Sequence, residues 1–114
     1  LKFIMAYFFF VLKKKKLVIA LSLLSDPKVL LLDECFAALD VLTIKMLQET
    51  IVNLQQENSI TICICDHQAR DLLVCVDVAM ILNNGKVVAQ DTPSELVNNI
   101  NAKNAYFGES FSFK

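Results

Sequence analysis

Apolar and polar positions fall along this chain in blocks whose period changes. From Leu17 to Leu24 the apolar residues are dense and helically spaced, and the run stops at Ser25-Asp26-Pro27. Pro27 cannot continue a helix, so it ends this one and opens the next element. Val29 to Leu32 is a short, continuously apolar run, which predicts a strand covered on both faces. Leu42 to Gln56 returns to helical spacing, with Leu42, Ile44, Leu47, Ile51, Val52 and Leu54 as the apolar positions and Asn58 closing the element. Ser59 to Cys65, SITICIC, is β-branched and predicts a second buried strand.

Beyond it, Gln68 to Cys75 predicts a short helix with Leu72 and Leu73 inward. Val76 to Leu82 and Lys86 to Ala89 predict two strands. Asn83-Asn84-Gly85 between them is a hairpin signal, because Asn and Gly tolerate positive φ. Thr92-Pro93-Ser94-Glu95 opens a last helix, with Thr92 as cap and Pro93 in the first turn. Two strand–helix alternations followed by a hairpin predict an α/β layer with an antiparallel edge. No internal repeat is present.

Composition narrows the possible partners. The chain has 114 residues, 55% of them hydrophobic, enough for one small domain or a piece of a larger one. The formal net charge is −1, and the one basic cluster is Lys13 to Lys16, which argues against nucleic-acid binding driven by charge. Cys35, Cys63, Cys65 and Cys75 sit mostly inside apolar runs, so they read as buried, reduced thiols. With one histidine and no CxxC pair, a zinc site is disfavoured. Phe3 to Leu12 is uncharged and apolar, but shorter than the roughly 20 residues a spanning helix needs. Its lysines follow the apolar run, the reverse of a secretory signal.

The chemistry is concentrated where the two predicted strands end. KVLLLDECF stops on Asp33 and Glu34, and SITICIC stops on Asp66 and His67. In open α/β sheets ligands bind beyond the carboxyl ends of the strands. If the strands are neighbours, carboxylates and an imidazole converge at one edge, an arrangement suited to metal-assisted phosphate chemistry. The same residues also fit a plainer role: Asp33 capping a loop, Glu34 solvated and His67 capping a helix.

These residues carry a resemblance to a known family. VLLLDE resembles a Walker B motif with its following glutamate, and AALD (residues 37 to 40) resembles the D-loop of ABC-transporter ATPases. His67 in TICICDH stands where those proteins carry their switch histidine, and MILNNGKVVAQDTPSEL is similar to the hairpin and helix that follow it. DExH helicases also end a strand on two acids, but their Ser-Ala-Thr element has no counterpart here.

The resemblance implies an α/β fold, the C-terminal part of a P-loop NTPase domain of the RecA-like, ABC type. Parallel strands would be flanked by helices and followed by a β-hairpin, with the N-terminal half missing. It covers residues 14 to 114, and residues 1 to 13 form an apolar segment that does not match. The implied cofactors are ATP and Mg²⁺. Asp33 would hold the metal through water, and Glu34 would polarise the attacking water. His67 would contact the γ-phosphate, and Asp40 would couple the two sites of a dimer. The implied partners are a second ATPase subunit and two transmembrane subunits, at the cytoplasmic face of the inner membrane.

Three departures qualify the implied activity. Cys35 replaces the proline usual after the glutamate, a change that bears on loop stiffness more than on chemistry. The glycine-rich P-loop is absent from a sequence with only two glycines, Gly85 and Gly108. The signature serine and glycines are also missing; Phe10 stands at the serine's place. Without those backbone N–H groups and the P-loop lysine, a triphosphate lacks its cradle. The chain alone is therefore expected not to hydrolyse ATP, and residues 1 to 13 are expected to be out of frame. The ending NAYFGESFSFK, with Phe111 and Phe113, resembles lipopolysaccharide export ATPases more than branched-chain amino acid uptake ATPases, whose chains tend to stop near YLGE. A non-catalytic interaction module and a small membrane-anchored protein using residues 3 to 12 are the other readings of the chain.

Overall fold

The structure, a computed structural model, describes residues 14–108. The expectations for residues 1–13, including the membrane anchor and the frame change, lie outside the described residues. So do those for Phe111 and Phe113. The chain divides into two compact units, Leu1–Asp71 and Leu72–Lys114. Among the described residues no helix is long and apolar enough to cross a membrane.

In the first unit, residues 14–23 form helix α1, which places Ile19 in the core at 6% exposure. Asp26 takes a left-handed turn at φ +51° and the chain enters β1 (Val29–Asp33) through Pro27. Helix α2 (Val41–Asn58) follows, and then β2 (Thr61–Cys65). The two strands pair in parallel over their whole length, from Val29 opposite Thr61 to Asp33 opposite Cys65. A parallel pair needs a crossover, and α2 supplies it. Its buried stripe is Ile44, Leu47 and Ile51, spaced three and four residues apart on one helix face. With Ile19, Leu30, Cys35, Phe36 and Ile60 these residues form the apolar core among the described residues of the unit.

Several expectations for this unit change. Leu30 is buried, but Val29 is 53% and Leu31 74% exposed, so β1 is covered on one face only. Period-2 alternation then forces the partner strand to match. Thr61, Cys63 and Cys65 are exposed while Ile62 and Ile64 are half-buried. Cys63 and Cys65 are therefore not buried thiols; Cys35 is the buried cysteine and Cys75 is intermediate. Leu42 points outward at 67% exposure, in the first turn of α2 and off its apolar stripe. The second strand starts at Thr61 because Ser59 adopts φ +52° and ends α2, its N–H donating to Gln55 O at 3.0 Å.

Helix α3 (Ala69–Leu73) is shorter than the Gln68–Cys75 span expected; Leu73 is buried and Leu72 intermediate. In the second unit, β3 (Ala79–Asn83) and β4 (Lys86–Asp91) form an antiparallel hairpin. Asn84 and Gly85 both have positive φ, +49° and +73°, as a type I′ turn requires. The register skips a residue between Ile81 and Leu82, a bulge in the ladder. Among the described residues the hairpin forms a two-stranded sheet of its own, where an antiparallel edge of the parallel layer was expected. Beginning at Ala79, β3 is also shorter than the Val76–Leu82 strand expected.

Thr92 and Pro93 open α4 (Pro93–Leu96) as predicted, although the Thr92 side chain makes no capping bond to the backbone. The expected single helix breaks after Leu96. Asn99 interrupts it and caps α5 (Ile100–Ala102), accepting from Asn101 N at 2.9 Å and Ala102 N at 3.1 Å. Lys103–Phe107 widens into a π-helical turn, closed by Gly108 at φ +73°. Leu96 and Ala102 are the most buried residues of this region, at 1% and 0% exposure.

Candidate functional site

The parallel register places the carboxyl ends of β1 and β2 side by side, with Asp33 opposite Cys65. One further bond extends the contact beyond the strands. The Glu34 N–H donates to Cys65 O at 2.8 Å. Asp33-Glu34 and Asp66-His67 therefore stand at one edge of the sheet, as the two polar strand endings predicted. Asp33 and Glu34 are exposed, and the His67 side chain is 70% exposed. All three face solvent at the place where an α/β sheet receives ligands.

The loop after β1 has an unusual backbone. Glu34 adopts φ +50° and Ala38 φ +59°, both left-handed without being glycine. Such residues persist only where their surroundings fix them, and they gather at functional sites. Here the fixing groups are visible. Phe36 is fully buried and anchors the middle of the loop. Ala37 N donates to Glu34 O at 3.3 Å, closing the turn. Lys15 reaches from α1 and donates through Nζ to Cys35 O at 2.6 Å and to Ala37 O at 2.8 Å. Partial burial lowers the Lys15 pKa from its ordinary value, opposed by the Cys35 thiol and the Asp66 carboxylate.

Asp66 does not join the exposed cluster. Its side chain has no exposed surface. Oδ2 accepts from Phe36 N at 3.2 Å and Oδ1 from Gln68 N at 3.0 Å, with His67 Nδ1 at 3.9 Å from Oδ1. Asp40 stands at the N-cap of α2 in extended conformation, and its carbonyl accepts from Ile44 N at 2.9 Å. Its side chain makes no capping bond and the residue is exposed. Asp40 follows the edge residues in the chain, separated from Glu34 by residues 35–39.

Lys15 was not singled out by the sequence, and Asp66 was read as part of the converging edge cluster, not as a buried holding group. A run of four lysines reads as a solvated face, and nothing in it distinguishes Lys15. Asp66 carries a usable signal, because an acid directly following a β-branched strand at a sheet edge is placed to tie adjacent loops.

For Mg²⁺, the donors present suit a weak, partly hydrated attachment. Among the described residues no three His, Cys, Asp or Glu side chains converge as a metal cage. Mg²⁺ commonly takes one or two carboxylates and completes its shell with water and phosphate oxygens, and exposed Asp33 offers one such carboxylate. At Cys65 the thiol pKa is raised, first by local desolvation, then by Cys63 and by the Asp33 carboxylate on the paired strand.

Comparison with known proteins places this geometry. No family model matches the chain. It is 32% identical over 99 residues to the lipopolysaccharide export system ATP-binding protein LptB of Haemophilus influenzae, covering 87% of this chain and 41% of that protein. It is 40% identical over 86 residues to the spermidine/putrescine import ATP-binding protein PotA of Mycoplasma mycoides, covering 75% and 24%. Among solved structures it resembles cbiO1 of Clostridium perfringens, part of the ABC transporter complex cbiONQ. The TM-score is 0.74 at 31% identity, over 82% of this chain and 37% of that one. The chain thus spans about two fifths of the length of the LptB proteins it matches. With the Asp33-Glu34 and Asp66-His67 edge in register and these likenesses across most of its length, the chain belongs to the ATP-binding proteins of ABC transporters.

Proposed function

We propose that this chain carries the carboxylate-and-histidine side of an ATP site in an ABC transporter ATPase of the lipopolysaccharide export type. The observation that carries the reading is the Glu34 N–H to Cys65 O bond at 2.8 Å, which brings both polar strand endings to one solvent-facing edge. In this reading Asp33 holds Mg²⁺ through water, and Glu34 polarises the attacking water. His67 hydrogen-bonds the γ-phosphate. Asp40, at the start of α2, couples the two sites of an ATPase dimer docked on two transmembrane subunits at the cytoplasmic face of the inner membrane. Bound Mg²⁺ supplies charge neutralisation on the phosphates.

The phosphate cradle is not in this sequence, so the chain alone is expected neither to bind Mg·ATP measurably nor to hydrolyse it. The higher identity to PotA supports a second reading, in which the ATPase drives import.

The test grafts residues 14–108 in place of the matching segment of the Escherichia coli LptB. Glu34→Gln in the graft is expected to lower ATP hydrolysis by about 100-fold or more, the usual loss when a general base is removed. Hydrolysis unaffected by that change sinks the reading. Rescue of cells depleted of LptB supports the export assignment. An active graft without rescue moves the cargo to import.

A further inference from the structure

We infer that Asp66 is a positioning residue, whose buried carboxylate fastens the loop carrying Glu34 to the turn carrying His67. The roles of Glu34 and His67 rest on the function proposed above, but the fastening itself rests on geometry alone.

The Asp66 side chain has no exposed surface, yet it lies between two strongly exposed groups, Glu34 on one loop and His67 on the next. Both carboxylate oxygens are used, one for each loop. Oδ2 takes the Phe36 N–H, two residues after Glu34, and Oδ1 takes the Gln68 N–H, the residue after His67. Backbone donors to a carboxylate form charge-assisted bonds, stronger than those between neutral groups.

Lys15 grips the same loop from α1. It takes the carbonyls of Cys35 and Ala37, on either side of the Phe36 amide that Asp66 holds. Two peptide groups, Cys35–Phe36 and Ala37–Ala38, are thereby held by an acid and a base from different elements. The left-handed Glu34 lies immediately before them, and this grip accounts for its persistence at φ +50°. The arrangement needs two acceptor oxygens 30 residues and 2 residues from their donors, which an aspartate supplies and an asparagine does not. Chemistry at this edge is then divided: exposed groups face the ligand, and a buried acid sets their spacing.

The test uses the full chain and backbone amide exchange followed by nuclear magnetic resonance. Asp66→Asn leaves one acceptor for two donors. Exchange of the Phe36 or Gln68 amide is expected to quicken by about tenfold or more, while amides of the β1–β2 ladder keep their rates. Chemical shifts of both Glu34 and His67 are expected to move together, which a merely local packing role does not produce. Lys15→Met is expected to move Glu34 and leave His67 in place.

Unchanged Phe36 and Gln68 amides in Asp66→Asn overturn the inference, and so does a uniform rise across the ladder. If that variant does not fold, the unmutated chain decides. Scalar couplings across the hydrogen bonds from the Phe36 and Gln68 nitrogens to the Asp66 carboxylate carbon support the fastening, and their absence overturns it. A graft indifferent to Glu34→Gln alongside intact couplings refutes the ATP reading and leaves the fastening standing.

Discussion

Replacing Leu47 and Leu42 by alanine, one at a time, measures which face of α2 holds the first unit together. Both are leucines of the same helix, and helical spacing alone makes both candidates for the core. In the structure Leu47 is fully buried and Leu42 is 67% exposed. Truncating a buried leucine loses the transfer energy of its methyl groups and leaves a cavity, at about 2–5 kcal/mol. Leu47 lies mid-stripe between Ile44 and Ile51, both buried, so little room exists for the site to collapse and the upper half of that range is expected.

Leu42 is predicted to change stability by no more than about 0.5 kcal/mol, the usual range for an exposed position. Amide exchange of the β1–β2 ladder is the assay, because it reads the first unit by itself. Where exchange proceeds through unfolding of that unit, Leu47→Ala is expected to speed it by roughly 30-fold at the least, from the lower end of that penalty. Equal effects of the two substitutions, or a larger one at Leu42, would refute the assignment of the helix face.

Two further predictions follow from individual geometries. Ser59 ends α2 at φ +52°, where a side chain costs about 1–2 kcal/mol. Ser59→Gly is therefore expected to stabilise the unit by roughly 0.5 kcal/mol after the greater unfolded-state freedom of glycine is subtracted, read as slower ladder exchange; faster exchange refutes it. Asp33→Asn removes one of the charges that raise the Cys65 pKa, so more thiolate forms at mildly alkaline pH. Alkylation of Cys65, followed by mass spectrometry, is expected to quicken, and an unchanged rate would show that the carboxylate does not act on the thiol.

The elements were legible in the sequence wherever a local rule decides them. Asn84-Gly85 demands positive φ twice and a hairpin follows. Pro27 and Pro93 mark element starts, and the apolar runs Val29–Leu32 and Ser59–Cys65 mark the strands. Burial was less legible, because it depends on what covers a strand and not on the strand. Val29-Leu30-Leu31-Leu32 is apolar on both faces, yet only Leu30 is buried and Leu32 half-buried. The same lack of cover exposes Cys63 and Cys65, whose neighbours in sequence suggested a core. At the candidate site the exposed groups were legible because polar residues ending an apolar run stand out. Which groups hold the loop was not. Lys15 is one of four consecutive lysines, and its role depends on two carbonyls that are 20 and 22 residues away.

That division bears on how the edge keeps its shape. Asp33, Glu34 and His67 face solvent, so none of them needs burial energy to remain in place, and each is tolerated there as an ordinary surface residue. Their spacing instead depends on groups that carry no proposed chemistry: Phe36 in the core, Lys15 on α1 and Asp66 between the loops. A left-handed Glu34 without these supports has a ready escape to ordinary backbone, at a gain of about 1–2 kcal/mol. The supports all lie within residues 15–68 of this chain. The groups that hold the two acids and the histidine in place are therefore local to the first unit.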